Sequence, residues 1–261
     1  GGETIEWNNP DASVMVSVPY VPTVAELEDL EHIVIWYLDG KGNVIEVPSG
    51  RYDAEKGIVT FSTTHFSRYT VSFVTKTFVD LGSAAWAKEK IEILASKGIL
   101  EGQSDNKYEP KSNITRADFL CFLVRTLSID TNFEGNFSDI SSDAYYFNEI
   151  GVAKELGITT GTGKHRFYPD AEISRQDMIV LTERTLKILN KLEKKGISTR
   201  LDQFSDKSKI SAYALDSISS IVEEGLIVGN GSKLNPRGNT TRAEAAMFLY
   251  RIYDKYSRPV K

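Results

Sequence analysis

The sequence has few of the residues that cross-link a chain or bind metals. Cys121 is the single cysteine among 261 residues, so no internal disulfide forms and packing has to stabilise the fold. The three histidines, His32, His65 and His165, lie in separate settings and predict no metal site. We therefore expect neither a metal nor another cofactor. No apolar run is long enough to cross a bilayer, so we expect no membrane insertion.

The sequence also lacks a surplus of basic residues. It has 31 Lys and Arg against 36 Asp and Glu, a formal net charge of -5. Nucleic-acid binding needs a cluster of excess Lys and Arg, so we exclude nucleic acid as a partner. A polyanion is still compatible with this charge if a few arginines are concentrated at one site. No signal peptide opens the chain, and we interpret the sequence as part of a longer protein.

Residues 1–76 are rich in Val, Ile, Thr and aromatic residues in short alternating runs, which predict β-structure. The runs at 32–38 and 43–47 are separated by Asp-Gly-Lys-Gly and predict a hairpin. Further strands are predicted at 57–61 and 69–73. This part is therefore predicted to be a small sandwich-like β-domain, or the C-terminal part of one.

From residue 78 onward the chain repeats one pattern three times. Each copy has a Phe-x-Asp motif, an aromatic residue at a helix start, a Gly-x-x-x-Gly segment, a proline, and a Thr/Ser-Arg-x-Asp/Glu motif. The recurring residues are the acids Asp80, Asp139 and Asp206, the aromatics Trp86, Tyr145 and Tyr213, the second glycines Gly102, Gly161 and Gly229, and the arginines Arg116, Arg175 and Arg242.

One helix-loop-helix copy cannot bury its own apolar faces, so we expect the three copies to pack together with pseudo-threefold symmetry. The predicted fold class is α+β and multidomain, with an all-α repeat module after the β-rich part. The predicted repeats are 77–131, 132–196 including a linker, and 197–261.

The arginine of each copy is predicted at the first position of a helix. The hydroxyl before it and the acid after it resemble a capping box. A cation there opposes the helix dipole and costs about 0.3 to 1 kcal/mol. A ligand carboxylate would compensate, because guanidinium offers a bidentate fork and the helix terminus adds backbone donors. An internal ion pair with the acid of the Phe-x-Asp motif, Asp80, Asp139 or Asp206, is the alternative.

The aromatic residues and glycines of the repeats also have two interpretations each. The aromatic residues either stack on sugar faces or pack at the rim of the core. The first glycine of each Gly-x-x-x-Gly segment is predicted to cap a helix. The second glycine either lets a sugar approach the backbone or turns the loop.

The ordered series of Phe-x-Asp, aromatic, Gly-Ile-x-x-Gly, Pro and Ile-Thr-Arg-Ala-Asp/Glu resembles the S-layer homology family, from residue 78 to about residue 255. The resemblance implies a non-enzymatic, extracellular anchor on a Gram-positive cell wall. It implies that pyruvylated secondary cell wall polysaccharide binds in grooves between repeats. It also implies contacts from the recurring arginines, with glycines and acidic or aromatic residues. The repeats differ in these motifs, so their sites need not be equivalent.

Two other functions stay open. The repeats form either the polysaccharide anchor or a protein–protein surface that assembles other surface-layer subunits into a lattice. Alternatively, the parent is an envelope enzyme whose catalytic domain lies outside this chain.

Separately, His65-Phe66-Ser67 resembles the self-cleavage sequence of ZU5-type and nucleoporin-type domains, in which serine attacks the preceding carbonyl. A Thr-rich strand edge explains the same residues.

Overall fold

The structure is a computed structural model that describes residues 7–9, 12–192 and 197–257. Parts of the predicted β-rich region, of the linker after repeat 2 and of the end of repeat 3 lie outside the described residues. The fold is mixed α/β with two small antiparallel sheets. Within the described residues, none of the helices combines the length and apolar character needed to span a bilayer.

In the part of the chain that the structure describes, six strands form two three-stranded sheets. The strands are β1 (Val14–Pro19), β2 (Ile33–Leu38), β3 (Val44–Val47), β4 (Arg51–Asp53), β5 (Ile58–Thr63) and β6 (Arg68–Phe73). Their orders are β1-β5-β4 and β3-β2-β6. Strands β2, β3, β5 and β6 coincide with predicted runs, whereas the runs did not identify β1 and β4.

Alternating apolar side chains form the core between the two sheets. Ile33 and Ile35 from β2 pack with Val59 and Phe61 from β5, and all four are at most 1% exposed. The β2–β3 turn contains Gly42 with φ of +87°, a conformation that glycine adopts without strain. The predicted hairpin is therefore present.

The rest of the chain is built mainly from helices, two α-helices for each repeat. They are α1 (Lys88–Ser96), α2 (Arg116–Thr126), α3 (Phe147–Glu155), α4 (Arg175–Ile188), α5 (Leu215–Glu223) and α6 (Arg242–Tyr256). The second helix of each repeat begins at its recurring arginine, because the preceding Thr or Ser accepts the backbone N–H three residues later. One buried apolar cluster includes residues from all six helices.

The loops that precede α2, α4 and α6 are hydrogen-bonded to each other in a closed cycle. The Ile114 N–H donates to the Thr240 carbonyl, the Thr240 N–H to Ile173, and the Ile173 N–H to Ile114, at 2.9 to 3.3 Å. Each repeat thus contacts both others, and the inter-repeat positions of the three arginines are fixed by the backbone.

The β-domain is attached to repeat 1 by buried polar contacts. The Lys97 ammonium is 1% exposed, donates to the Gly50 carbonyl at 3.1 Å and lies 3.8 Å from the Glu31 carboxylate. The His32 ring nitrogen Nδ1 lies 2.9 Å from the Ser96 hydroxyl. These contacts join the β-domain directly to the end of α1.

Lys97 gives this interface a testable pH dependence. Burial lowers the pKa of Lys97 from 10.5 to about 8, and Glu31 opposes the shift. Between these two values the unfolded chain binds more protons than the folded one, so the contribution of Lys97 to stability rises with pH. Relative to a Lys97→Met variant, the wild-type free energy of unfolding should increase by up to about 3 kcal/mol from pH 8 to 10.5.

Urea unfolding at pH 7.5 and pH 10 measures this difference. Exposed Lys76 provides the control, since its ammonium pairs with Glu46 at the surface. A Lys76→Met variant should follow the wild-type pH dependence. A Lys97→Met variant that also follows it would contradict the assignment.

Candidate functional site: grooves between the repeats

The packing of the repeats brings the recurring residues of three different repeats together. The arginine of one repeat reaches the Gly-x-x-x-Gly loop and the helix-start acid of the next repeat, beside the aromatic residue of the third. We call these places the Arg175, Arg116 and Arg242 grooves. The Arg175 groove combines Arg175, Gly229, Glu244 and Trp86. The Arg116 groove combines Arg116, Asp177 and Tyr213 with Phe167, from the loop that follows Gly161. The Arg242 groove combines Arg242, Asp118 and Tyr145 with Glu101, the residue before Gly102.

The Arg175 groove is open. Its residues line a cavity of about 580 Å³. The Arg175 Nη2 contacts the Val228 carbonyl at 3.5 Å, but its Nε is buried and has no hydrogen-bond partner within the described residues. Burial lowers the pKa of Arg175, although the nearby Glu244 carboxylate acts in the opposite direction. The groove therefore contains a buried donor without an acceptor.

The charge of the Arg175 groove is positive, although the whole chain is acidic. Arg175, Lys233 and Arg251 are three cations among its lining residues, against the single carboxylate Glu244. That carboxylate accepts the Thr241 N–H at 2.9 Å and completes a capping box at the start of α6. Glu244 is therefore held by its own helix, and the groove attracts anions.

Trp86 stands at the edge of the Arg175 groove and is 62% exposed. Tyr145 and Tyr213, its counterparts in repeats 2 and 3, are also exposed. The aromatic residues consequently lie at the surface and not in the core, and sugar stacking and rim packing both stay predictions. Unlike Trp86, the two tyrosines donate their hydroxyls to Asp118 and Asp177.

The second glycine of each Gly-x-x-x-Gly segment faces atoms of its own repeat. A Cβ at Gly229 would lie 2.6 Å from the Phe204 ring and 2.7 Å from the Lys233 carbonyl oxygen. Gly102 and Gly161 have the same two kinds of neighbour at 2.5 to 2.8 Å. These glycines are required for the loop to pack on the phenylalanine of the Phe-x-Asp motif, which supports the loop interpretation.

The acids of the Phe-x-Asp motifs hold the loops. Each carboxylate accepts two consecutive backbone N–H groups: Asp80 from Tyr108 and Glu109, Asp139 from Phe167 and Tyr168, and Asp206 from Leu234 and Asn235. Burial raises the pKa of these carboxyls, but the backbone hydrogen bonds outweigh it, so each pKa is lowered.

The internal ion pairs expected from these three acids are not formed. No ion pair within 4.0 Å joins them to Arg116, Arg175 or Arg242, all of which are described residues, and the arginine near Asp139 is Arg166. The acids are already engaged by the backbone of their own loops. The alternative of an ion pair with these three acids is therefore wrong, because sequence order does not reveal which repeat an arginine faces.

The Arg242 groove is closed by a different carboxylate. Arg242 is 1% exposed, and its Nη1 donates to Asp118 Oδ2 at 2.6 Å. Its Nε and Nη2 donate to the Tyr108 and Glu101 carbonyls at 2.9 and 2.6 Å. Tyr145 also donates its hydroxyl to Asp118. All three nitrogens of this guanidinium thus donate to the protein.

The Arg116 groove has an intermediate arrangement. The Arg116 Nε donates to the Phe167 carbonyl at 3.1 Å, and its guanidinium lies 4.8 Å from the centre of the Phe167 ring. Asp177 accepts the Tyr213 hydroxyl at 2.6 Å. Asp177 affects Arg116 through its charge, without an ion pair within 4.0 Å between these two described residues.

His65 of the possible self-cleavage sequence lines a cavity with Glu101 and Arg125, next to the Arg242 groove, whereas Phe66 and Ser67 do not line it. His65 Nδ1 is 3.3 Å from the Tyr69 hydroxyl, and the His65 ring packs against Tyr37 with centroids 4.7 Å apart. Phe66 and Ser67 are not among the residues with positive φ. The strained peptide that such a reaction requires is therefore not seen here, and self-cleavage stays a prediction.

Three tandem helix-loop-helix repeats that pack together, with grooves between them, place this chain in the class of helical repeat modules. The family model of the S-layer homology domain matches residues 77–120, 136–179 and 203–246. The chain belongs to the S-layer homology domain family. This confirms the resemblance read from the repeated motifs.

Relatives include both enzymes and surface-layer proteins. The chain is 34% identical to an amylopullulanase of Thermoanaerobacterium thermosulfurigenes over 97% of its own length, which is 13% of that relative. It is 35% identical to the exoglucanase XynX of Acetivibrio thermocellus over 65% of the chain and 16% of the relative. It is 27% identical to the S-layer protein EA1 of Bacillus anthracis over 70% of the chain and 21% of the relative.

The chain therefore spans about a fifth or less of each of these relatives. The family and the S-layer relatives support cell-surface anchoring or S-layer association and indicate a cell-surface or extracellular protein. They also support a non-catalytic anchoring region.

Proposed function

We propose that this chain anchors a larger extracellular protein to a Gram-positive cell wall by binding a pyruvylated secondary cell wall polysaccharide. The observation that carries the proposal is the open, cationic Arg175 groove with its unpaired guanidinium Nε. The proposal includes a pseudo-threefold relation of the three grooves, supported by the hydrogen-bond cycle between the repeats.

The ligand chemistry follows from the groove. A pyruvate ketal places a carboxylate directly on a sugar ring, so one ligand presents both an anion and a sugar face to the groove. The guanidinium of Arg175 offers that carboxylate a fork of N–H donors, and Arg251 and Lys233 add positive charge. The exposed indole of Trp86 offers a flat apolar face for the sugar. The cavity of about 580 Å³ matches the size of small-ligand sites.

Co-sedimentation with purified wall polysaccharide tests the proposal. The wild-type protein should sediment with native polymer and remain in solution with polymer whose pyruvate ketals have been removed by mild acid. Equal sedimentation with both polymers would refute recognition of the ketal carboxylate.

The S-layer relatives favour lattice assembly as the second candidate function. Sedimentation velocity of the protein alone, over a wide concentration range, separates the two. Self-association without polysaccharide, together with no binding to native polymer, would favour the lattice.

A further inference from the structure

We propose that Asp118 takes the place of the ligand carboxylate in the Arg242 groove, so that this groove fastens repeat 3 to repeat 1 and does not bind the polysaccharide. The inference rests on the proposed function and assigns different roles to the equivalent grooves. Arg175 binds the polymer, whereas Arg242 is bound by the protein itself.

Each of the three guanidinium nitrogens of Arg242 already has a protein acceptor, which accounts for three of its five N–H groups. Nη1 faces Asp118 at 2.6 Å, while Nε and Nη2 face two main-chain carbonyls. Asp118 is itself 6% exposed and also receives the Tyr145 hydroxyl. A ligand carboxylate would have to displace a buried carboxylate that accepts from Arg242, Tyr145 and Gln103.

The charge around Asp118 also disfavours an anion. The Arg125 guanidinium, which corresponds to Arg251 in the Arg175 groove, is paired with Glu101 and Glu149. Glu101 stands where the Arg175 groove has the uncharged Val228. Asp118, Glu101 and Glu149 are thus ion-paired with Arg242 or Arg125, whereas among the described residues that line the Arg175 groove Glu244 forms no ion pair within 4.0 Å with Arg175, Lys233 or Arg251.

The Arg175 and Arg242 grooves differ by one methylene group at the third helical position, although Asp177 in the Arg116 groove is also an aspartate and forms no ion pair within 4.0 Å with Arg116, both being described residues. Glu244 is long enough to turn back and accept the Thr241 N–H, which withdraws it from Arg175. Asp118 is one carbon shorter. Its backbone N–H is capped by Thr115 at 3.0 Å, but its carboxylate points across the repeat boundary to Arg242.

The aromatic residue reinforces the difference. Tyr145 has a hydroxyl that donates to Asp118. Trp86, at the corresponding position of the Arg175 groove, has no hydroxyl and stays exposed. Three side chains thus differ between the closed groove and the open one: Asp118, Tyr145 and Glu101. Of these, Glu101 alone has no counterpart of the same type in the Arg116 groove, where Thr160 stands at its position.

Titration calorimetry with a synthetic pyruvylated disaccharide tests the inference in two variants. An Arg116→Ala/Arg175→Ala protein retains only the Arg242 groove, and its affinity should fall about 100-fold or more below wild type. Adding Asp118→Glu, Tyr145→Trp and Glu101→Val gives this groove the residues of the open one. The converted protein should recover affinity to within about tenfold of wild type.

Binding by the double variant within about tenfold of wild type would overturn the inference, since Arg242 would then bind the ligand. A converted protein with a native circular dichroism spectrum but no recovered binding would overturn the reason given for closure. If wild type itself does not bind, the proposed function fails.

Closure is also measured without ligand. Phenylglyoxal labelling followed by peptide mass spectrometry compares the reactivity of the guanidinium groups in the wild-type protein. Arg175 should be modified faster than Arg242, because Arg242 is 1% exposed and each of its three guanidinium nitrogens donates to the protein. Equal rates would contradict closure, whatever the titration shows.

Discussion

Replacing Arg175 by alanine should weaken binding of the pyruvylated polysaccharide about 100-fold, because two hydrogen bonds to a charged group are lost. The folded state should lose little stability, since Arg175 makes one long contact to Val228 and its Nε is unpaired. Binding is measured by titration with the pyruvylated disaccharide, and stability by urea unfolding.

Two matched variants show whether the loss is specific. Arg237→Ala removes the same charge from an exposed loop position and should change affinity by less than about threefold. Arg175→Lys keeps the charge but removes the planar fork, so its affinity should fall between wild type and alanine. Equal losses from Arg175→Ala and Arg237→Ala would show that net charge, and not the groove, determines binding.

Replacing Asp118 by alanine should have the largest effect on stability, about 3 to 5 kcal/mol, because it leaves the buried Arg242 guanidinium without its counter-charge. The Tyr145 hydroxyl would lose its acceptor as well. Urea denaturation monitored by circular dichroism measures the loss.

Glu244→Ala is the matched control, because Glu244 occupies the same helical position in repeat 3. It removes a capping contact and should cost about 1 kcal/mol. Removing both partners, in an Asp118→Leu/Arg242→Met protein, should be less destabilising than Asp118→Ala alone. Equal losses for Asp118→Ala and Glu244→Ala would contradict the assigned role of the Arg242–Asp118 pair.

The repeat organisation was predictable because its signals are local. A hydroxyl residue followed three positions later by an acid marks a helix start, and Arg116, Arg175 and Arg242 do begin their helices. The Asp-Gly turn and the alternating runs likewise indicated the hairpin of β2 and β3.

The partners of the arginines were not predictable, because they come from other repeats. Asp118 lies two residues after Arg116, yet it pairs with Arg242, which is 124 positions away. Asp80 has the charge to pair with an arginine, but it is taken by the backbone N–H groups of its own loop.

The sequence by itself determined three helix-loop-helix units, their helix starts and a cation at each start, because capping and periodicity act within a few residues. Tertiary structure alone decided which of the three arginines stays accessible to a ligand. The cyclic packing of the repeats places Arg242 against Asp118, and it places Arg175 near Glu244, whose carboxylate is held by the start of α6. These contacts between repeats exist only in the folded chain.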